Sequence, residues 1–394
     1  MKIAVNLLYL SYNTKSGVGK HIEDILIGLE KLNVLDEFYL IVSETFYDNY
    51  FCRVDAKRPF ENAHVVICQE GRLFKAAINR LKKGKLLARG IYLNHFIMPD
   101  LLKNIDPDLM FYPFNDTPNN VSLKYPLVAV IHDLYYKNFS NRKKAILNKL
   151  YALYVDKKHR AMLKKAKKII TISEFIKSDI LKYFPGTKSN NVVVIPNAVV
   201  MSGETAVPEG ITAPFLLCVN DHGIHKNHLT LLKAYNIIKN KVPHRMVLLG
   251  SEREETPNIL EYIDKNGLGN KVDLISNISD SERNWLYHNA DLLISPSMYE
   301  GFGRTPIEAA IMGAMVLTSR DASLPEVTCE MLNYYEPTTD EKVLAVNILD
   351  LLAHPAPVEE REKIAKKFKE LYDPTRIAKL YYDLFNNIIK NNNN

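Results

Sequence analysis

Two carboxylates, Glu300 and Glu308, have seven residues between them inside the stretch 295–313, SPSMYEGFGRTPIEAAIMG. Gly301 and Gly303 bracket Phe302 in the same stretch, and a residue without Cβ lets backbone approach a ligand closely. The apolar run 291–294 just before it reads as a buried parallel strand, which Pro296 ends. A helix is predicted from about Thr305, with Thr305 as its cap, Pro306 in its first position and Gly313 at its end. Strand, glycine loop and helix start together bind phosphate well, because unpaired N–H groups and the helix dipole point at the anion. An acid beside a phosphate repels it unless it accepts hydrogen bonds from flanking hydroxyls, such as those of a ribose and a second sugar. Taken singly, Glu308 reads as a dipole partner and Glu300 as a solvated loop acid. Taken with the glycines between them, the pair reads as a site for a phosphate flanked by hydroxyls.

The elements that must position this stretch alternate between strand and helix. Residues 2–9 read as a strand, followed by a turn-rich segment closing on Ser16-Gly17-Val18-Gly19-Lys20. A helix then runs to about Leu32, with Ile22, Ile25, Leu26 and Leu29 on one face. Lys20 is an anion contact or a solvated charge, and two glycines in a tight turn are common. Further strands are predicted at 38–43, 64–68, 108–112, 126–131, 168–173 and 192–195. The strand 126–131 delivers His132-Asp133 to its C-terminal end, where ligands bind in open α/β sheets. Ser173 caps a helix through Tyr183, and Glu174 beside it reads as dipole complementation or as a cleft residue. Residues 201–214 are rich in Gly, Pro, Ser and Glu without periodicity, which suggests a hinge. Strands restart at 215–219, 246–250, 272–275, 291–294 and 315–319, with helices between them, such as 229–240 and 281–289. Alternation of this kind implies parallel sheets covered by helices on both faces. The fold class is α/β, with domains at 1–200 and 201–372 and an amphipathic, aromatic segment at 373–394.

A chain of 394 residues is long enough for two cores, and 24% charged with 47% hydrophobic residues describes a globular protein. The start, MKIAVNLLYLSYN, is basic and then apolar like a leader peptide, but it lacks a small-residue cleavage site and alternates like a first strand. Cys52, Cys68, Cys218 and Cys329 are scattered, so neither zinc nor a disulfide framework is expected, in keeping with a reducing cytosol. Charge is divided unevenly. Residues 1–200 carry 31 Lys and Arg against 18 Asp and Glu, a net of +13, whereas 201–394 carry 20 against 27, a net of −7. Residues 71–99 hold seven basic side chains and no acid, with Phe74, Ala77, Ile78 and Leu81 at helical spacing; 142–168 hold eleven against Asp156 alone. These stretches read as solvated faces or as a docking surface for an anionic membrane leaflet, each basic residue there being worth about 1 kcal/mol. No aromatic-interleaved strand or groove-reading motif accompanies them, so nucleic acid is not the expected partner.

EGFGRTPIEAA resembles the E-x(7)-E element of the retaining glycosyltransferases of family 4. Around it SMYEGFG, SLPEV (323–327), HDL (132–134), TISEFIKSDI (171–180), VIPNAV (194–199) and HKNHLTLLKAY (225–235) fall in that family's order and spacing, over most of the chain. The resemblance implies a GT-B fold, two doubly wound Rossmann-like domains facing a central cleft, with residues 373–394 crossing back to the first. It implies a nucleotide-diphosphate sugar as donor and a retaining transfer by same-face attack, a donor phosphate oxygen taking the acceptor proton. It assigns catalysis to His132, Glu300 and Lys226: His132 to a hydroxyl of the transferred sugar, Glu300 to the sugar hydroxyls and Lys226 to the diphosphate. Donor binding falls to Gly17 and Gly19 in a G-[IV]-G-[RK]-like turn, to Gly301, Phe302, Gly303 and Arg304, and to Glu308 at the ribose. The family commonly carries an arginine two residues after the strand or just before the lysine, where this chain has Asp221 and His225; Arg304 is the candidate replacement.

The resemblance also implies no metal and no cofactor, because in GT-B enzymes the protein's own dipoles and cations neutralise the leaving diphosphate. The SxYEGFG and SLPEV forms most resemble bacterial mannosyltransferases of surface-polysaccharide assembly, lipopolysaccharide included. GDP-mannose is thus the first donor candidate and a UDP-hexose the second, with a lipid-linked or oligosaccharide acceptor met at the inner face of the cytoplasmic membrane. Two other readings stay open. An inverting transferase or UDP-sugar epimerase would need a base such as His21 or Asp133, and a nucleotide-sugar-binding protein would show no turnover.

Overall fold

The computed structural model describes residues 1–8, 17–51, 60–69, 71, 74, 77–78, 80, 92, 96–114, 124–139 and 146–393. Lys75, Leu81, Lys82, Lys83 and Lys85, on which the reading of a first basic helix rests, lie outside the described residues. The chain divides into two compact units, Met1–Ala198 with Pro374–Asn394, and Val199–Asp373.

The first unit is built on seven parallel strands: β1 (Ile3–Asn6), β2 (Phe38–Ser43), β3 (His64–Cys68), β4 (Leu109–Tyr112), β5 (Leu127–Ile131), β6 (Lys168–Thr171) and β7 (Val192–Val194). Their order is β3-β2-β1-β4-β5-β6-β7. β1, β4 and β5 read IAVN, LMFY and LVAVI and are buried along their whole length, as strands covered on both faces must be. After β1 the chain winds outward through β2 and β3, then returns to place β4 on the other side of β1. The C-terminal ends of β1 and β4 therefore flank the switch point of the sheet, where open α/β folds bind ligands.

The second unit repeats the plan with six parallel strands: β8 (Phe215–Val219), β9 (Arg245–Leu249), β10 (Val272–Ile275), β11 (Leu292–Ser295), β12 (Val316–Ser319) and β13 (Asn333–Tyr335). Their order, β10-β9-β8-β11-β12-β13, puts its switch point between β8 and β11, which pair Leu216 with Leu292 and Leu217 with Leu293. Its core gathers Leu216, Leu248, Leu292 and Ile294 from the strands and Leu231, Tyr235 and Ile348 from the helices. The helix Asp280–Asn289 opens on a capping box, Ser279 exchanging hydrogen bonds with Glu282.

Both units are thus α/β domains built on a parallel, doubly wound sheet. The second basic stretch forms most of one long helix, Ile146–Lys165. Some of its charge is consumed locally. Asp156, its one acid, pairs with Lys137 and, at 2.8 Å, with Arg160, and Lys158 and His159 are buried. Among the described residues no helix is long and apolar enough to cross a membrane.

The helix Pro374–Asn393 completes the first unit by packing on the helix Gly17–Lys31. Its Tyr381 and Phe385 are fully buried; the Phe385 ring lies 5.0 Å from Phe111 and 6.4 Å from Phe38. Gly28 makes the approach possible, because a Cβ there would overlap the Pro374 carbonyl and come within 2.6 Å of the Ala378 Cβ. Alanine improves helix propensity by about 1 kcal/mol over glycine, but overpacking a close contact costs roughly 1–3 kcal/mol. Since the obstruction is backbone, Gly28→Ala is expected to lower the thermal unfolding midpoint. An unchanged or raised midpoint would show that the helix yields freely.

Candidate functional site

Two loops rise over the second unit's switch point, 220–227 after β8 and 296–303 after β11. They are tied together, Met298 N–H donating to the His225 carbonyl at 2.8 Å. Lys226 ends a short 3₁₀ turn, Ile224–Lys226, and Asn227 (φ 59°) redirects the chain into the helix His228–Ile238. Asn227 is pinned from both sides, donating to the Thr338 carbonyl at 3.0 Å and accepting from Thr230 at 2.7 Å. Held in this way, Lys226 Nζ lies 2.6 Å from Glu300 Oε1.

Gly303 sets up the other half of the site. It adopts φ 81°, where a side chain is strained, and a Cβ there would overlap Leu324. This gives SLPEV its physical meaning: Leu324 packs against the glycine while Ser323 Oγ donates to the Glu300 carbonyl at 2.9 Å. The helix Arg304–Ile311 starts directly after Gly303, and no side chain caps it. The expected Thr305 cap is thus corrected. Thr305 lies inside the helix and its hydroxyl donates to the Val219 carbonyl at 3.2 Å, stitching the helix start to the end of β8. The helix N-terminus is left with N–H groups that suit an anion.

Glu308 is buried in this helix and already carries partners. Arg304 bonds its Oε1, the Tyr287 hydroxyl donates to Oε2 at 3.0 Å, and Arg283 Nε stands 3.9 Å from Oε2. Burial, and then the Glu308 charge, push the Tyr287 phenol far above its ordinary range, so it stays a proton donor. Phe302 turns into the protein, its ring edge-on to Tyr372 at 5.3 Å, so only its backbone borders the loop. Gly301 stands between the Lys226-bonded Glu300 and that buried ring. At the β8–β9 end, Gly250 is required by close approach, since a Cβ there would overlap the Asn220 carbonyl.

Sequence reasoning missed three side chains here. Arg253, in the loop after β9, pairs with Asp221 at 3.2 Å, so a cation stands beside Asp221. Arg283 and Tyr287 reach Glu308 from the helix Asp280–Asn289. The only sequence signal for Arg253 was its place in GSERE, just beyond a strand's C-terminal end; the other two lie one helical turn apart with no motif.

In the first unit His132 caps the end of β5 and is nearly buried, its Nε2–H donating to the Pro113 carbonyl at 2.8 Å. That bond makes Nδ1 the acceptor nitrogen. Burial outweighs it and pulls the His132 pKa below the ordinary 6.5, so the ring is neutral at physiological pH. His21, one turn into the helix opened by Gly17 and Gly19, meets the His132 ring edge-on at 4.7 Å. The second unit thus unites Lys226, Glu300, Gly301, Gly303, Arg304 and Glu308, while in the first the helix that Gly17 and Gly19 open sets His21 against His132.

A family model described as Glycosyltransferase Family 4 matches residues 16–202, and one described as Glycosyl transferases group 1 matches 206–371. The O-antigen chain mannosyltransferase B of Escherichia coli is 24% identical over 212 residues, 50% of this chain and 55% of that protein. The chain thus spans about half the length of that curated relative. Among solved structures, sucrose-phosphate synthase from Thermosynechococcus elongatus aligns with a TM-score of 0.71 at 17% identity, covering 99% of each chain. Anabaena HepE, solved in complex with UDP, aligns at 0.65 and 16% identity over 98% of this chain and 100% of its own. These structural likenesses establish the fold.

One titration can be tested apart from any ligand. His228 is fully buried behind Lys226, its ring 5.1 Å from that of His222. Burial first, then the His222 and Lys226 charges, lower its pKa from 6.5 to about 3. The unfolded chain takes up a proton there that the folded chain refuses, so acid favours unfolding. Its contribution is intact above about 6.5 and is lost as pH falls toward about 3. His228→Leu is expected to flatten the fall of the unfolding midpoint across that window; a slope equal to wild type would show that His228 is not the group responsible.

Proposed function

The chain belongs to the family 4 glycosyltransferases of the GT-B fold, and from that membership we infer that it moves a hexose from a nucleotide-diphosphate donor onto a saccharide acceptor with retention. The observation that carries this reading is the meeting of Lys226, Glu300 and an uncapped helix start at one switch point. The donor's diphosphate sits on the N–H groups after Gly303 and takes the Lys226 ammonium, a point charge suited to phosphate. Gly301 and Gly303 let the loop approach the diphosphate. Ribose hydroxyls donate to Glu308, which Tyr287 and Arg283 hold in place, and Arg304 turns from Glu308 toward the phosphate. Glu300 accepts from hydroxyls of the transferred sugar.

The acceptor oxygen attacks the anomeric carbon on the face the leaving group departs from. The carbon–oxygen bond to the diphosphate breaks, and the acceptor's proton passes to a donor phosphate oxygen. Cations and dipoles of the protein balance the charge that develops on the leaving diphosphate, so the step is assigned no metal.

Mannose from GDP-mannose is the favoured donor, supported by the likeness to an O-antigen chain mannosyltransferase. A UDP-hexose is second, supported by the likeness to HepE, which holds UDP. The acceptor is a lipid-linked saccharide of surface-polysaccharide assembly. The enzyme meets it by docking on an anionic leaflet through the basic first unit, whose sequence carries a net +13 over residues 1–200.

The test is transfer from GDP-mannose and from UDP-hexoses to a lipid-linked acceptor in excess EDTA, with the anomer of the product assigned by NMR. Retention with activity undiminished by the chelator is expected. Glu300→Gln should lower turnover by about 10²–10³, the usual consequence of losing one preorganised electrostatic partner, while sugar-nucleotide affinity changes far less. Donor binding without turnover, activity that returns only with magnesium or manganese, or an inverted product would overturn the reading.

A further inference from the structure

Lys226 and Glu300, which the proposed reading gives to the diphosphate and to the sugar, are engaged with each other. Their 2.6 Å pair is only 15% and 16% exposed. Neither partner is carried on a loose segment. Ser323 fixes the Glu300 carbonyl, and the Met298 N–H fixes the turn that carries Lys226. A pair so close and so poorly solvated attracts more strongly than an exposed one, which is worth little.

A diphosphate gains the whole ammonium only by displacing Glu300, which leaves a carboxylate facing the phosphate. Hydroxyls of an attached sugar relieve that, because they donate to the displaced carboxylate. A nucleoside diphosphate without its sugar has no such donor at that place. The Arg304–Glu308 pair makes no such distinction, since ribose hydroxyls are present in both molecules.

We propose that Glu300 is a specificity-determining residue that competes with the diphosphate for Lys226, so that the site discriminates the sugar nucleotide from the spent nucleoside diphosphate. The inference rests on the reading of this cluster as a donor site. Once the sugar has left on the acceptor, Glu300 closes again on Lys226 and the diphosphate loses its cation. The acid that orients the sugar then also drives release of the product. If the pair holds Lys226 for about nine-tenths of the time, diphosphate affinity falls about tenfold, because apparent affinity scales with the competent fraction.

The experiment titrates UDP, GDP and their sugar nucleotides calorimetrically into wild type, Glu300→Gln, Lys226→Ala and the double variant, with thermal unfolding as a check on folding. Glu300→Gln should bind the preferred nucleoside diphosphate about tenfold more tightly than wild type, with no such gain for its sugar nucleotide. The gain should vanish when Lys226 is alanine. Wild-type binding with no tightening in Glu300→Gln overturns this inference alone. Tightening that persists without Lys226 also overturns it, because plain repulsion between acid and phosphate would then suffice. If wild type binds neither the nucleotides nor their sugar derivatives, the donor-site reading fails and this inference fails with it.

Discussion

The left-handed turn at Gly303 is the constraint on which the second unit's site depends. With φ at 81° and Leu324 against its Cα, that position admits no side chain. The turn starts the helix Arg304–Ile311 where β11 has just delivered the chain over the switch point. Four features follow from it together: an uncapped helix start, Glu308 one turn in and buried, Arg304 within reach of Glu308, and Glu300 on the near side of the glycines. Ser323 and Thr305 fasten the same turn to its neighbours through backbone carbonyls. A site of this kind is assembled from backbone first, and its charged side chains are placed afterwards.

Much of this was legible in the chain because it is written in local patterns. Runs such as LVAVI, FLLCV and VLTS are too apolar for a solvated face and too short for helices, and each became a buried parallel strand. Glu300, Glu308 and the glycines between them stood out because their spacing is short and their chemistry unusual, whereas Lys226 came only from the resemblance, and the fold sets it beside Glu300. The misses share a cause. The last strand, NYY, is only partly buried and lacks a run of apolar residues. Thr305 has the composition of a cap, but a carbonyl from β8, distant in sequence, took its hydroxyl. Arg253, Arg283 and Tyr287 matter only through partners 21 to 32 positions away, and no local period encodes such a contact.

Charge separates the two units as clearly as topology unites them. In the second unit the site's cations are each paired with an acid: Lys226 with Glu300, Arg304 with Glu308, Arg283 with Asp280 and Arg253 with Asp221. The poorly exposed ions Lys226, Glu300, Arg304 and Glu308, kept in such pairs, avoid the large desolvation cost of a lone charge. They also leave the cluster near neutral, so an incoming anion meets balanced charges. The basic excess of residues 1–200 has no such local balance in composition, although Asp156 shows how one acid can occupy two cations, Lys137 and Arg160, from different helices.

The first unit is written in two pieces, with the whole of the second unit inserted between Ala198 and Pro374. A ribosome therefore finishes the inserted unit before it has made the helix that covers Phe38 and Phe111. Until that helix emerges, the part of the first unit already made keeps an apolar flank uncovered, lined by Ile22, Leu26, Phe38 and Phe111. Domains generally mature from the N-terminus during synthesis; here the order is inverted, and the unit begun first is completed last.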